Sequence, residues 1–295
     1  MSMEGWLIRG QGGVYTAEDA AGAQYVLRAK KRFRRQRISP LVGDRILFTP
    51  GTISDEHGWI DDILPRSSEF VRPAVANVSL MLILTAPEPA PDLLLVDRLL
   101  VQCRRQHIKT VLTVNKQDLD TALYERLKAE YAGADTAVCA VSAATGAGLN
   151  DFRQVILHET ICLCGQSGVG KSTLTNALLD VSAETGDISP RIRRGRNTTR
   201  HAELFRSQDY HLMDTPGFSL ITLSDEKTDP LTLQDDYPEF VPFKDSCRFQ
   251  PCWHQGEPGC AVIAAVKEGR IDRERYTRYV ALLKELNEAW RNRYD

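Results

Sequence analysis

Three short motifs combine glycine, lysine and carboxylate side chains at spacings that suit phosphate and base recognition. GQSGVGKST at residues 165–173 fits the glycine-rich loop whose backbone N–H groups surround phosphates. Lys171 would neutralise phosphate charge, and the hydroxyl of Ser172 would ligate Mg²⁺. Such a loop predicts a nucleoside triphosphate without specifying the base. The residues assigned to the phosphates are Gly165, Gln166, Ser167, Gly168, Val169, Gly170, Lys171, Ser172 and Thr173.

A second motif, NKQD at residues 115–118, contains the group that would specify the base. The carboxylate of Asp118 can accept two hydrogen bonds from the N1–H and N2 amine of guanine, an edge that adenine does not offer. The motif therefore predicts GTP rather than ATP. Asn115 and Lys116 would brace the loops around the base. The full set assigned to the base is Asn115, Lys116, Gln117 and Asp118, with the downstream pair Ser142 and Ala143.

The third motif, DTPG at residues 214–217, is typical of the segment where a GTPase registers hydrolysis. Asp214 would hold Mg²⁺ through water, and the N–H of Gly217 would sense the γ-phosphate. The next residue is Phe218, where Ras-type enzymes place a water-orienting Gln. Because an apolar side chain cannot position water by hydrogen bonding, we expect slow intrinsic turnover and a catalytic group from another loop or a partner.

The elements that position these motifs alternate between strand and helix patterns from about residue 70 to 222. Apolar runs at 110–114, 161–164 and 210–213 predict strands that end at the motifs, and 172–179 predicts a helix whose N-terminus faces the phosphates. The pattern predicts an α/β P-loop domain with a mainly parallel sheet. NKQD precedes the phosphate loop, the reverse of the order in Ras-like GTPases, so the domain is circularly permuted.

The first 68 residues show short alternating strands separated by turns, which predicts a small OB-type β-barrel. A plain structural β domain remains an alternative. The net charge is only −2, but residues 28–37 contain seven Lys or Arg and residues 191–200 contain five Arg, with no acid in either run. Arginine suits phosphate geometry, so both runs predict RNA contact, although a charge run is often simply a solvated face.

A candidate metal site follows, with three cysteines and one histidine within fourteen residues. Three thiolates and one imidazole are a closed ligand set for tetrahedral Zn²⁺, which predicts a structural metal. The alternative is three buried cysteines beside an incidental histidine. Zinc is favoured because the segment is too short and too rich in turn residues to build its own core. A helix at 272–293 would pack its apolar stripe against this module. The predicted ligands are Cys247, Cys252, His254 and Cys260.

Length and composition set limits on the rest of the molecule. A chain of 295 residues suggests about two domains, with a third small one if a metal stabilises it. The apolar stretch near residues 78–84 is far shorter than the ~20 residues that span a bilayer, so we expect a cytoplasmic protein without membrane association. We also expect a monomer. Seven cysteines argue against a disulfide framework. The four outside the metal segment are predicted to be small core residues: Cys103, Cys139, Cys162 and Cys164.

The motif order, the Cys₃His spacing, YPEF at 237–240 and EPGCAV at 257–262 resemble the RsgA family, also called YloQ. The resemblance covers essentially the whole chain. It implies an OB domain at residues 1–68, a circularly permuted GTPase domain at 69–222 and a zinc-binding helical domain at 223–295. It further implies a GTPase that assists maturation of the small ribosomal subunit, binds its rRNA and is stimulated by the subunit.

The same resemblance assigns residues to the first switch. Thr199 would sense Mg²⁺ and the γ-phosphate. The predicted catalytic residues are Lys171, Thr199 and Asn197. The family usually has a His, a candidate for positioning the attacking water, just before the pair Thr198 and Thr199, and here that position is Asn197. An amide can orient water but cannot act as a base near neutral pH. Two functional classes therefore remain: an RNA-dependent GTPase, or an RNA-binding assembly factor for which GTP is a structural or weakly hydrolysed ligand.

Overall fold

The computed structural model describes residues 2–51, 57–70, 73–184, 202–207, 209–215 and 229–292, with no side chains given for 180–184. These residues form two compact units, each assembled from several stretches of chain. One unit contains Met1–Met81, Arg153–Leu163 and Ser172–Phe218. The other contains Leu82–Phe152, Cys164–Lys171 and Ser219–Asp295.

The first unit begins with the predicted β-barrel. Its strands pair in the order β1-β2-β3-β5-β4, and β1 also pairs with β4, which closes the barrel. Alternate side chains such as Leu7, Leu27 and Ile60 point inward and are fully buried. The barrel elements are β1 (Met3–Gln11), β2 (Val14–Glu18), β3 (Gln24–Ala29), helix α1 (Lys31–Arg35), β4 (Arg45–Thr49) and β5 (Gly58–Ile63).

The first basic run lies on a strand and a short helix of the barrel. It starts on β3 and then forms α1, whose Phe33 is 3% exposed and packs into the barrel core. Burial of this ring leaves the basic side chains of the helix on its outer side, where Lys31, Arg34 and Arg35 are exposed. The short helix therefore presents positive charge because a single aromatic residue anchors it.

The remainder of the first unit extends the barrel into a second set of strands. Arg9 of β1 pairs with Glu203 of β12, β12 runs antiparallel to β13, and β13 runs parallel to β11. A side-chain bond from Arg206 to Glu18 (3.1 Å) supports the same junction. These elements are β6 (Glu69–Phe70), β7 (Val75–Ala76), β11 (Thr160–Cys164), helix α5 (Lys171–Glu184), β12 (Glu203–Arg206) and β13 (His211–Asp214).

The second unit contains the strands that lead to the base motif. The strand order is β10-β9-β8, and β9 and β10 are parallel in register, as predicted for a βα domain. The side chain of Asp92 accepts a hydrogen bond from Leu95 N (2.9 Å) and so caps the start of α2. The elements are β8 (Leu80–Thr85), α2 (Leu93–Arg105), β9 (Lys109–Val114), α3 (Ala122–Glu130), β10 (Ala137–Ala140) and α4 (Leu149–Ile156).

The C-terminal part of this unit is helical. Three short 3₁₀ segments, Pro230–Asp236, Pro238–Phe240 and Lys244–Ser246, precede α6 (Ala261–Lys267) and α7 (Arg273–Arg291). The predicted apolar stripe of the last helix does pack against the cysteine segment, since Tyr279, Leu283 and Leu286 share one core with the cysteines. Val101 of α2 also belongs to this core.

Three of the four remaining cysteines are buried as expected, but Cys139 on β10 is half-buried. This strand forms one end of the described strand order, so its side chains are less covered. None of the helices within the described residues combines the length and the apolar character that a membrane crossing requires.

Candidate functional site

The phosphate loop follows β11, and its glycines are required by its geometry. Gly165 has φ +131°, and a Cβ there would collide with the carbonyl oxygen of Leu84. Gly170 has φ +92°, and a Cβ there would collide with the side-chain amide of Asn115. Both residues therefore combine a left-handed backbone with a close approach that only glycine permits. The loop is held against the base motif at the second of these positions.

Lys171 is folded back over the loop that precedes it. Its Nζ donates to the carbonyl oxygens of Gly165 (2.8 Å) and Gln166 (2.7 Å). Burial lowers the pKa of this lysine, because partial desolvation disfavours the charged form. The ammonium group is thus fixed on the loop before any phosphate arrives, which lowers the ordering cost of binding one.

Gln166 joins the phosphate loop to the start of α2. Its Nε2 donates to the carbonyl oxygen of Ala90 (2.8 Å), and its Oε1 accepts from the backbone N–H of Asp92 (2.6 Å). Because Asp92 caps the N-terminus of α2, the two hydrogen bonds connect the phosphate loop directly to the start of that helix. The side chain of Gln166 therefore contributes to positioning of the loop.

The base motif is joined to both neighbouring loops through one buried residue. Asn115 is 2% exposed, its Nδ2 donates to Val169 O (2.9 Å), and its Oδ1 accepts from Ala143 N (3.0 Å). Lys116 adds a second connection, from Nζ to Gly168 O (2.9 Å) and to Glu88 O (2.7 Å). These bonds form the bracing that the sequence predicts for Asn115 and Lys116.

The residues predicted to contact the base lie around this junction. Asp118 is exposed at the end of the motif, so its carboxylate is accessible to a ligand. Gln117 is half-buried, and its backbone N–H donates to Val141 O (3.2 Å). Ser142 is fully buried and its Oγ accepts from Thr145 N (3.2 Å), which shapes the loop that carries Ala143. The motif therefore leaves one carboxylate outward while its neighbours hold the loops.

The first unit carries the residues predicted to bind Mg²⁺. Ser172 and Thr173 are exposed at the beginning of α5, and Asp214 is half-buried at the end of β13. Hydroxyl and carboxylate oxygens are the ligands that Mg²⁺ prefers. The other predicted switch and catalytic residues lie outside the described residues: Asn197, Thr199, Gly217 and Phe218, together with the second basic run.

The second unit brings together all four predicted metal ligands. Cys247, Cys252, His254 and Cys260 are buried, and one ligand atom from each lies within 4.8 Å of the others. Cys247 Sγ is 3.8 Å from Cys260 Sγ and 3.6 Å from His254 Nδ1. Tetrahedral zinc with its usual bond lengths separates two sulfur ligands by about 3.8 Å and a sulfur from a nitrogen by about 3.6 Å. The four residues therefore fit a structural zinc ion.

Groups around this cluster orient the ligands. Nε2 of His254 lies 2.9 Å from Oε1 of Gln234, which leaves Nδ1 to face the cysteines. Backbone N–H groups of Ala261 and Ile263 donate to the sulfurs of Cys247 and Cys260. Gln234 was not predicted, because it precedes the nearest ligand by thirteen positions and belongs to no spacing pattern.

The metal-free thiols and the imidazole have shifted pKa values. Burial raises the pKa of Cys252 to about 12 and also raises the pKa of Cys260. Burial lowers the pKa of His254, so the neutral imidazole that a metal requires is favoured. A doubly charged cation at the cluster would reverse the effect on the thiols, since coordination deprotonates them.

A five-stranded barrel, a phosphate loop preceded in sequence by its base motif, and a closed Cys₃His cluster define the class. The fold is that of a circularly permuted P-loop GTPase with an N-terminal OB-type barrel and a C-terminal zinc-binding helical domain. Residues 63–224 match the family model described as RsgA GTPase, and residues 4–60 match the RsgA N-terminal domain. The chain belongs to the RsgA GTPase family.

Curated relatives and solved structures agree with this assignment. The protein of Ruminiclostridium cellulolyticum named small ribosomal subunit biogenesis GTPase RsgA is 39% identical, over 96% of this chain and 94% of the relative. The relative of the same name from Agathobacter rectalis is 40% identical, over 96% of this chain and 98% of the relative. The crystal structure of YjeQ from Thermotoga maritima superposes with a TM-score of 0.80 at 29% identity, covering 97% of this chain and 99% of that one. The crystal structure of YloQ, described as a circularly permuted GTPase, superposes with a TM-score of 0.77 at 28% identity, covering 98% of this chain and 96% of that one.

Proposed function

We propose that this protein binds GTP, hydrolyses it to GDP and phosphate, and assists maturation of the small ribosomal subunit. The observation that carries the proposal is the hydrogen bonding of Asn115, which joins the base motif to the phosphate loop and to the loop of Ser142 and Ala143. A GTPase needs such a connection because base recognition must be held in fixed relation to the reacting phosphates. The curated relatives are named for the small ribosomal subunit, which supplies the partner.

In this proposal the residues act as the sequence predicts. Asp118 selects guanine, and Lys171 stabilises charge that develops on the phosphates. The cation bound with GTP would neutralise the phosphate oxygens and orient them. Its predicted ligands are Ser172, Thr199 and Asp214, and Gly217 would sense the γ-phosphate. Zinc at the Cys₃His cluster has a structural role, because a closed ligand set leaves no position for substrate.

The residues of this chain near the predicted γ-phosphate position are poorly suited to position the attacking water. Phe218 cannot hydrogen-bond to water, and Asn197 cannot remove its proton near neutral pH. We therefore propose slow turnover by the protein alone and stimulation by the small subunit. The rRNA of the subunit would contact the basic runs at residues 28–37 and 191–200. We further propose that the protein is a cytoplasmic monomer with three domains, at residues 1–68, 69–222 and 223–295.

The test compares GTP hydrolysis by the full-length protein with and without purified small ribosomal subunits. Wild-type protein should be stimulated at least about tenfold by the subunit, and Lys171→Ala should reduce the stimulated rate by about 100-fold or more. Lys267→Ala removes an exposed lysine far along the sequence in α6 and should leave the rate unchanged.

Equal hydrolysis with and without subunits would contradict the proposal. If, in addition, Lys171→Ala bound subunits and dissociated from them as wild-type protein does, the alternative would be supported. In that case the protein is an RNA-binding assembly factor for which GTP is a structural or weakly hydrolysed ligand.

A further inference from the structure

The outer face of the barrel brings together side chains that are distant in sequence. The registers pair Arg28 with Trp59 across β3 and β5, and Val14 with Arg28 across β2 and β3. Directly paired residues share a face, and so do residues two positions apart on one strand. Val26, Arg28 and Trp59 therefore lie side by side on the outside, opposite the core residues Leu27 and Ile60.

This face exposes an unusual amount of apolar surface for a barrel exterior. Trp59 is 45% exposed and Val26 is 46% exposed. A single exposed apolar side chain is normal, but here a tryptophan lies beside a valine and an arginine, so the exposed apolar surface is continuous and has an aromatic centre. Trp59 is also the tryptophan with the greatest exposure among the described residues, since Trp6, Trp253 and Trp290 are half-buried.

Positive charge begins beside the tryptophan at Arg28 and continues along the chain into α1. The exposed cations Arg28, Lys31, Arg34, Arg35 and Arg37 have no ion-pair partner among residues 2–51 and 57–70.

The acids on this side are already engaged. Lys30 Nζ pairs with Asp61 (2.5 Å) and Arg32 pairs with Asp62 (3.3 Å). Those two pairs hold α1 beside β5, so the free arginines of the helix lie close to the strand that carries Trp59.

We infer that this face binds single-stranded RNA, with one unpaired base stacked on Trp59 and the adjoining phosphates held by Arg28 and the arginines of α1. The inference rests on the proposed function. It adds the class of RNA that binds and the residue on which a base stacks. Aromatic stacking tolerates any base and contributes about tenfold or more to affinity, while arginine forks fit phosphate oxygens. The bases of an RNA duplex are stacked on one another, so a side chain on a sheet face contacts them only where a nucleotide is unpaired.

The test measures binding of the full-length, zinc-loaded protein to two fluorescent probes. One is a single-stranded RNA of about 12 nucleotides, and the other is an RNA duplex of about 16 base pairs. Trp59→Ala should weaken single-strand binding about tenfold and leave duplex binding unchanged, whereas Trp59→Phe should retain most of the affinity. Single-stranded RNA should also quench tryptophan emission in wild-type protein but not in Trp59→Phe.

Phe249→Ala is a matched control. Phe249 is an exposed aromatic residue (50%) with the guanidinium of Arg248 over its ring, so it also combines an exposed aromatic side chain with an arginine. Its removal should not change RNA affinity. Arg28→Gln should weaken the binding of both probes, because a phosphate contact does not depend on stacking. It should also reduce the slope of log affinity against log salt concentration by about 1.

Three outcomes would overturn the inference: unchanged single-strand affinity in Trp59→Ala, an equal loss for both probes, or displacement of RNA by polyglutamate at equal charge. The last would identify an acidic polypeptide as the partner. Failure of the proposed function is distinguishable, since it would appear as absent subunit stimulation of GTP hydrolysis in wild-type protein. Subunit-stimulated hydrolysis with no effect of Trp59→Ala would remove only the stacking site.

Discussion

Arg275 of α7 and Asp97 of α2 form an ion pair that is almost completely removed from solvent. Nη1 lies 2.5 Å from Oδ1, and the side chains are 3% and 0% exposed. Arg278 donates to the other oxygen of the same carboxylate (2.7 Å) and also pairs with Glu130. Burial alone would lower the pKa of Arg275, but the carboxylates of Asp97 and Glu239 raise it above its usual value. One carboxylate of α2 thus holds two charged arginines of the last helix.

Asp97→Asn tests the contribution of this pair to stability. Loss of the charge would leave two buried arginines poorly compensated, and we expect the free energy of unfolding to fall by about 3–5 kcal/mol. Chemical denaturation of the zinc-loaded protein measures the change. Glu268→Gln makes the same chemical substitution in an exposed pair with Arg270 (57% and 52% exposed) and should change stability by less than about 1 kcal/mol. Equal effects of the two variants would contradict the prediction.

Asp118→Asn should change the base that the protein prefers. An amide still accepts a hydrogen bond from N1–H, but its NH₂ group now faces the N2 amine of guanine, donor against donor. Xanthine carries a carbonyl at that position and would accept the new hydrogen bond. We expect at least about a 100-fold reversal in relative affinity for GDP and xanthosine diphosphate, measured by calorimetry. Asp120→Asn, two residues away, should keep the preference for GDP, and a loss of all nucleotide binding in Asp118→Asn would argue against this role.

Cys252→Ser should abolish stoichiometric zinc binding. Native mass spectrometry should find about one zinc per wild-type chain and none in the variant. Cys139→Ser, at a half-buried cysteine outside the cluster, should retain the metal. Because burial raises the pKa of Cys252 and Cys260 in the metal-free protein, zinc must displace protons, and its affinity should fall as the pH is lowered. Retention of zinc by the serine variant would show that the ion binds elsewhere.

His211 of β13 should make stability depend on pH. Burial, assisted by the charge of Arg206, lowers its pKa below the usual 6.5. Below pH 6.5 the unfolded chain therefore binds more protons at this residue than the folded protein, and stability is lost as the pH falls through the folded pKa. The ring lies edge-on to Trp6, with 5.5 Å between the ring centroids, and its protonation would add a second positive charge near Arg206.

The difference in melting temperature between wild type and His211→Gln measures this effect. The difference should be largest near pH 8 and shrink below pH 6.5. His107→Gln makes the same substitution at an exposed histidine and serves as the comparison variant at each pH. A difference that stays constant with pH would mean that the imidazole does not titrate differently in the two states.

Much of the site was predictable because its signals are local. The phosphate loop, NKQD and the Cys₃His cluster are recognised from residue types at short spacings, and the strands and helices around them follow from apolar periodicity. The strand predictions at 110–114, 161–164 and 210–213 agree with the structure to within about a residue. A short basic segment that forms a helix was not predicted, because burial of Phe33 depends on the barrel beneath it.

The sequence by itself determined the class of protein, the permuted order of its nucleotide motifs and the four residues of the Cys₃His cluster, since each is read from residue types and their order along the chain. Tertiary structure alone decided which distant residues meet. Asp97 and Arg275 are 178 positions apart, His254 and Gln234 are 20 apart, and Trp59 meets Arg28 across two strands. No periodicity encodes such pairs, because they arise when the packing of apolar faces sets strand register and helix contact.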